Sequence, residues 1–317
     1  MSPKIGFVLL AHDKAAQLRR LTQRLDELYP GAPIACHHDF SKTPLDGITF
    51  PEQVRFVQPH IVTGWGQISV ALAFREALRL LYSNQDAPDW FVYLSGSDYP
   101  VRAPGDVLRD LEAGGADAYI DHRQVVHPFV PDQNVQYAES SFCSKEWVPL
   151  AYGRYVAIPL WVPGFSLARR KRTKIYLGQL RSERVVRWLT PFDGNLRCYG
   201  GEAWFTANRR AAKVLLADSE TNRKLHKHFA RKFIPDEALY HTILCNQPGL
   251  RVAPMNYRYI DWSGGTHHPK LLGMEDLPRI FESGAHFARK FDLDSGQQVF
   301  DAIDEAVNRA VAGARVG

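Results

Sequence analysis

The sequence lacks most of the features that assign a chain quickly, and each absence excludes something. No apolar run approaches the ~20 residues needed to cross a bilayer. The first, residues 5–10 (IGFVLL), is followed by His12, Asp13 and Lys14, so it reads as a buried strand, not as an anchor or leader peptide. Only four cysteines occur, Cys36, Cys143, Cys198 and Cys245, too far apart for a metal-type pair or a disulfide framework. A reducing, cytoplasmic setting is the expectation. No G-x-G-x-x-G follows the first strand, and there is no G-x-x-x-x-G-K-[ST] loop, which argues against dinucleotide and P-loop sites. No G-x-S-x-G elbow offers a serine nucleophile. His37 and His38 precede Asp39, but adjacent residues of a strand project to opposite faces and chelate one ion poorly. Charge is nearly balanced, 39 Lys and Arg against 34 Asp and Glu, for a net +5. That surplus suits an anionic ligand. It is concentrated only in residues 169–174 (RRKRTK), whose commoner reading is a solvated face.

What is present is an alternation of two periodicities. Residues 5–10, 33–38 (PIACHH), 54–57, 90–94 (WFVYL), 118–121, 203–207 (AWFTA) and 258–262 predict strands. Leu18, Leu21, Leu25 and Leu28 recur at helical spacing before Pro30 and Gly31. Residues 68–82, 106–113, 209–218, 236–245, 275–283 and 299–312 predict further helices. Strands alternating with helices argue for an α/β fold with a mostly parallel central sheet flanked by helices. The length suits a single catalytic unit, 1–317. An irregular insert is expected at about 122–195, where aromatics, prolines and charges show no period, and a C-terminal helical extension at about 275–317.

Seven segments, in order, carry a resemblance: IGFVLLAHDK, ACHHDFSK, GWGQISVALAFREALRLL, FVYLSGSDYPVR, GGEAWFTANRRAAKVLL, FIPDEALYHTIL and HFARKFD. Together they resemble the core-2/I-branching β-1,6-N-acetylglucosaminyltransferase family (glycosyltransferase family 14), which includes the peptide O-xylosyltransferases and bacterial members. The resemblance runs from about residue 5 to 294 and is weakest between 122 and 195. It implies a bacterial member with a GT-A-like nucleotide-diphospho-sugar transferase fold. The implied reaction is an inverting, metal-independent transfer from a UDP-sugar to a hydroxyl of a glycan or glycoconjugate. N-acetylglucosamine or xylose is the expected sugar, with glucuronic acid also open. Polysaccharide assembly in the cytoplasm is the expected setting, with peripheral contact at the anionic inner membrane face through residues 169–174. Nucleic acid is not an expected partner.

Such a transfer needs a base for the acceptor hydroxyl, aligned reactants, and positive charge against the departing diphosphate. Many GT-A enzymes supply that charge through a metal held by an Asp-x-Asp turn. Here the corresponding turn, residues 95–98, has one carboxylate, Asp98, so cationic side chains are expected to act instead. By local pattern Glu237 is merely a first-turn acid of a helix. By resemblance it is the catalytic base. Lys290 matches the family lysine that meets the leaving group, with Arg289 beside it. The family's N-acetylglucosaminyl enzymes add an upstream arginine that has no counterpart here, leaving His267, Lys270 or Arg258 as the second cation. His12, Asp39, Trp65, Asp98 and Tyr99 are the candidate contacts to nucleotide and donor, although Asp39 reads equally well as an Asx turn and Trp65 as packing. Gly201, Glu202 and Trp204 border the expected sugar site. Two other classes stay open: a glycoside hydrolase using Glu202 and Glu237, in which Lys290 would be idle, and a non-catalytic carbohydrate-binding module.

Overall fold

The computed structural model describes residues 3–83, 87–125, 153–159, 172–179, 182–192, 195–264 and 268–314. In chain order the strands are β1 (Ile5–Ala11), β2 (Ile34–His38), β3 (Val54–Phe56), β4 (Trp90–Ser95), β5 (Tyr99–Pro100), β6 (Ala118–Tyr119), β7 (Arg123–Gln124), β8 (Gly153–Pro159), β9 (Arg172–Gln179), β10 (Tyr199–Gly200), β11 (Thr206–Asn208), β12 (Val252–Ala253), β13 (Arg258–Ile260) and β14 (Phe287–Arg289). The helices are α1 (Ala15–Leu28), α2 (Ile68–Leu81), α3 (Pro104–Gly114), α4 (Glu183–Leu189), α5 (Arg209–Leu216), α6 (Glu220–Phe229), α7 (Leu239–Cys245), α8 (Leu277–Glu282) and α9 (Gln297–Ala314).

A seven-stranded sheet, ordered β12-β6-β11-β4-β1-β2-β3, forms the centre. Its pairings are parallel except the two made by β11, which runs antiparallel between β4 and β6. Side chains of a strand alternate between faces, and both faces here are covered. Val8, Phe91 and Tyr93 enter one core with Phe74 and Leu78 of α2, Leu215 of α5, and Leu239 and Tyr240 of α7. Phe7, Leu9, Val92 and Leu94 enter the other with Leu18, Leu21 and Leu25 of α1, Leu111 of α3, and Phe300 and Ile303 of α9. Burial on two sides is why IGFVLL and WFVYL read as continuous apolar runs.

A smaller sheet, β13-β14-β5, takes up the chain that follows β4. It converts part of the expected turn at residues 95–100 into a strand, with Ala288 opposite Tyr99 and Phe287 opposite Pro100. The segment at 122–195 is not wholly irregular: β8 and β9 form an antiparallel ribbon and α4 follows it. The rest of that segment, apart from residues 122–125, 182, 190–192 and 195, lies outside the described residues. The expected helix at 236–245 is divided. Pro235–Glu237 forms a single 3₁₀ turn, Ala238 breaks it with φ −138°, and α7 starts at Leu239. Helix α6 was not foreseen because its buried side chains, Asn222, Leu225 and Phe229, make only a thin apolar stripe; Ser219 caps it by accepting from the Asn222 N–H at 3.1 Å. No helix among the described residues is long and apolar enough to cross a membrane.

Phe74 is fully buried, with the rings of Phe91, Tyr93, Phe205 and Tyr240 at centroid distances of 4.3–6.2 Å. Truncation there would leave a cavity that four rigid rings cannot collapse into. Phe74→Ala should cost about 3–5 kcal/mol of folding stability in urea titration; a loss below about 1 kcal/mol would mean that this core is not packed as described.

Candidate active site

The parallel strands β1, β2 and β4 end on one edge of the sheet, the edge on which α/β folds present ligand-binding loops. After β4 the chain turns at Ser95–Asp98, and Asp98 shapes that turn from within. Its Oδ2 accepts from the Ser95 N–H at 2.6 Å and from the Ser95 hydroxyl. Its Oδ1 faces Arg289 Nε at 3.6 Å, and neither atom has a hydrogen bond among the described residues. The Arg289 guanidinium lies over the Trp204 ring, 4.3 Å from its centroid, and Trp204 packs on Tyr93 at 4.8 Å. Arg289 is thus clamped between a buried carboxylate and an aromatic face, both of which favour its charge.

Lys290 follows Arg289 through a cis peptide bond and leaves the sheet half-buried. Burial, and then the neighbouring Arg289 charge, pull its ammonium below the ordinary lysine range. A cation so placed is incompletely compensated, and an arriving anion would restore the balance.

The Glu237 turn is built by backbone pins. Ile234 enters it at φ +50° and donates its N–H to Gly66 O at 3.0 Å, while Glu237 O accepts from Gly201 N–H at 2.9 Å. Both glycines are required by space. A Cβ on Gly66 would meet the Phe233 ring at 2.5 Å, at φ +66°, and a Cβ on Gly201 would lie 1.9 Å from Asp121 O. Gly201 therefore serves close backbone approach to the 121 turn. Glu202 beside it accepts from Trp262 Nε1 at 3.0 Å and Asn256 Nδ2 at 3.1 Å. Burial raises its pKa against the pull of those two donors. It lines a cavity of about 590 Å³ with Asp121, Asn256 and Arg258 among others.

Several expected ligands have other tasks. Asp39 is fully buried, and its four acceptor positions are taken by the N–H and hydroxyl of Ser41 (3.2 and 2.6 Å) and of Thr63 (2.7 and 2.8 Å). Burial would raise its pKa, but these hydrogen bonds outweigh burial and hold it well below the carboxylate range. It pins two loops and has no oxygen left for uracil or ribose. Tyr99 points away from the site into the second core, where its hydroxyl donates to Asp304 at 3.0 Å. Lys270 is committed to the fully buried Asp276 at 2.9 Å and to Glu275 at 3.4 Å. Arg258 spends its Nη atoms on carbonyls of Asn256 (2.8 Å) and Phe205 (3.2 Å) and on the Thr206 hydroxyl (3.2 Å), bridging the two sheets. Burial lowers its pKa to about 10, so it remains a cation. Nothing at the level of sequence separates such bridging cations from ligand-binding ones.

His267 lies outside the described residues. His12 is exposed at the end of β1, 3.7 Å from Asp13. Trp65 is 65% exposed, edge-on to Phe233 at 5.0 Å and 6.5 Å from the His268 ring. His37 and His38 are buried and serve the backbone: His37 Nε2 accepts from the Ile61 N–H at 2.9 Å, and His38 Nε2 lies 2.7 Å from Thr43 O. One group was missed. Asp236 reads as a helix cap, yet its Oδ1 is buried without a hydrogen-bond partner among the described residues, and burial raises its pKa to about 6.

With this geometry in place, known proteins supply a comparison. Residues 167–281 match the family model described as Core-2/I-Branching enzyme. That stretch contains Glu202 and Glu237 and stops short of Arg289 and Lys290. The chain is 26% identical over 254 residues to beta-glucuronosyltransferase GlcAT14B of Arabidopsis thaliana, a match covering 78% of this chain and 50% of that protein. It is 26% identical over 273 residues to GlcAT14A of the same plant, covering 80% and 52%. To xylosyltransferase 1 of Homo sapiens it is 22% identical over 326 residues, covering 95% and 30%. The chain thus spans about half the length of the plant relatives it matches. The relatives matched are named as glycosyltransferases, and the family model is the one that the motifs resemble.

Asp236 makes a prediction about pH. A folded-state pKa raised from 3.8 to about 6 stabilises the fold fully below pH 3.8, and that contribution is lost as pH rises through 6. Asparagine cannot ionise. Asp236→Asn should therefore gain stability relative to the wild type between pH 4 and pH 7, by on the order of 2 kcal/mol at roughly 1.4 kcal/mol per pKa unit. Urea titrations at the two pH values measure this, and a difference independent of pH would show that the carboxyl is not held neutral.

Proposed function

We propose that this chain has a GT-A-like fold and transfers a sugar from a UDP-sugar to a hydroxyl of a glycan or glycoconjugate acceptor, with inversion and without a metal. The observation that carries the reading is the adjacent pair Arg289 and Lys290, fixed at the end of β14 against the Asp98 turn. In this reading the diphosphate lies against Lys290 and Arg289, and charge growing on the leaving oxygen is met by preorganised cations. Glu237 takes the proton of the acceptor hydroxyl as the oxygen attacks the anomeric carbon from the face opposite the diphosphate. Glu202 borders the sugars; its charge lies within electrostatic reach of Arg289, and Gly201 ties its segment to the Glu237 turn. Trp65 and His12 form part of the rim on the nucleotide side.

The relatives' names favour xylose or glucuronic acid over N-acetylglucosamine as the donor sugar. Cytoplasmic polysaccharide assembly and contact with an anionic membrane face belong to the same proposal. The membrane contact is supported by the basic run 169–174, of which 172–174 open β9 and 169–171 lie outside the described residues. The hydrolase reading is less favoured, because both Glu202 oxygens already accept from protein donors and the cation pair would have no task.

Calorimetric titration with UDP in EDTA is the direct test. Wild type should bind saturably. Lys290→Ala should weaken binding about tenfold or more, since a hydrogen bond to a charged group contributes about 1.5–3 kcal/mol. Glu237→Gln should leave UDP affinity near wild type and lower transfer about 10²- to 10⁴-fold. No UDP binding by the wild type, with or without Mn²⁺, would overturn the nucleotide-sugar reading.

A further inference from the structure

We propose that Gln17 is a positioning residue for the Arg289–Lys290 pair, acting as a latch that locks the segment carrying the cations onto the Asp98 turn. The inference rests on the reading of Lys290 as a diphosphate ligand. Gln17 sits in the first turn of α1, 2% exposed, and the hydrogen-bond partners of its amide are far from it in sequence. Its Nε2 donates to Gly96 O at 2.8 Å and to Phe291 O at 3.0 Å, and its Oε1 accepts from the Leu293 N–H at 2.8 Å. One primary amide thus spans the turn that holds Asp98 and the segment that follows Lys290.

No other side chain type of this size does the same. Glutamate would set a carboxylate against two carbonyl oxygens, and methionine would leave two carbonyls and an N–H buried without partners. The latch is reinforced on either side. Phe291 N–H donates to Ser97 O at 3.0 Å, Lys290 O accepts from Leu272 N–H at 2.8 Å, and Lys14 forms an ion pair with Asp292. Lys290 therefore emerges from a segment whose backbone is fixed on both sides, while its own ammonium is left half-buried and only partly compensated by Asp13 and Asp98. The part of α1 that carries the latch directly follows the His12 loop, so donor-side loop and cation segment share one support.

Fixing the cations matters because a preorganised donor costs no reorganisation when charge develops. A displacement of about 1 Å can lower a rate about 10²-fold. Gln17 touches no substrate in this scheme, so its effect must pass through Lys290 and Arg289, and that is what separates it from a merely structural residue.

The test is a double-mutant cycle on the full chain, read by UDP calorimetry in EDTA: wild type, Gln17→Met, Lys290→Ala and the double variant. Gln17→Met should weaken UDP binding about fivefold to tenfold in the wild-type background and hardly at all in Lys290→Ala, a non-additivity expected of coupled residues. With a UDP-sugar donor, kcat should fall further than KM changes. If Gln17→Met does not fold, Gln17→Glu keeps the acceptor to Leu293, loses both donors, and should give the same pattern. Unchanged UDP affinity in a folded variant overturns the proposal. So does an equal loss in both backgrounds, which would mark Gln17 as acting on the fold at large. If the wild type itself fails to bind UDP, the functional reading is what fails; if it binds through Lys290 and ignores Gln17, only the latch does.

Discussion

A guanidinium that is nine-tenths buried must be compensated where it lies, and the arrangement around Arg289 follows from that requirement. Asp98 offers the counter-charge at 3.6 Å and Trp204 offers its ring at 4.3 Å. Each partner is in turn held by something else. Asp98 folds its own turn around Ser95, and Trp204 leans on Tyr93, which belongs to the buried aromatic cluster around Phe74. The pairing of β14 with β5 and β13 sets the height of Arg289 relative to the central sheet, and Arg258 joins the two sheets through its carbonyl contacts. A displacement anywhere in this chain of contacts would reach the cation pair.

The loops on the same edge are ordered by a different device, saturation of buried polar groups. Asp39 gathers Ser41 and Thr63, His37 takes the Ile61 N–H, and the loop from β3 to α2 is thereby drawn toward the end of β2. At its far end Trp65 and Gly66 meet Phe233 and Ile234, which lead directly into the Glu237 turn. The proposed base and the Trp65 side of the proposed nucleotide rim thus share one supporting loop, whereas the cations and the His12 side are supported from α1 and β14.

The strand and helix alternation was legible because two-sided burial writes long apolar runs and one-sided burial writes a 3.6-residue period. Residues 5–10, 68–82 and 90–94 show both plainly. The β8–β9 ribbon was not legible, since RTKIYLGQ mixes charges with strand-forming residues and gives no clean alternation. Tyr99 was misplaced for a physical reason: two residues of strand β5 send its ring into the second core, and nothing in SGSDYP distinguishes that from a turn facing the cleft. Lys270 and Arg258 look like free cations in the sequence because their partners, Asp276 and the carbonyls of β4 and of the chain entering β11, are supplied by folding. Asp236 was passed over because its local pattern is that of a cap, while its desolvation depends on elements distant in sequence.

By itself the sequence determined the α/β class and the order of the main strands and helices, and, through resemblance, it nominated the two groups of the proposed chemistry, Glu237 and Lys290. These follow from local periodicity and from short motifs whose meaning travels with them. Tertiary structure alone decided which cations and carboxylates are left to meet a ligand. Asp39, Lys270 and Arg258 are consumed internally; Arg289 is clamped, Lys290 is left half-buried and undercompensated, and Gln17 is recruited from a helix 270 residues or so away in sequence. Whether a polar group is available is a question of what lies within about 3 Å of it; for Asp39 and Lys270 part of the answer is local, but for Arg289 and Gln17 it is set by long-range packing, which no window of sequence contains.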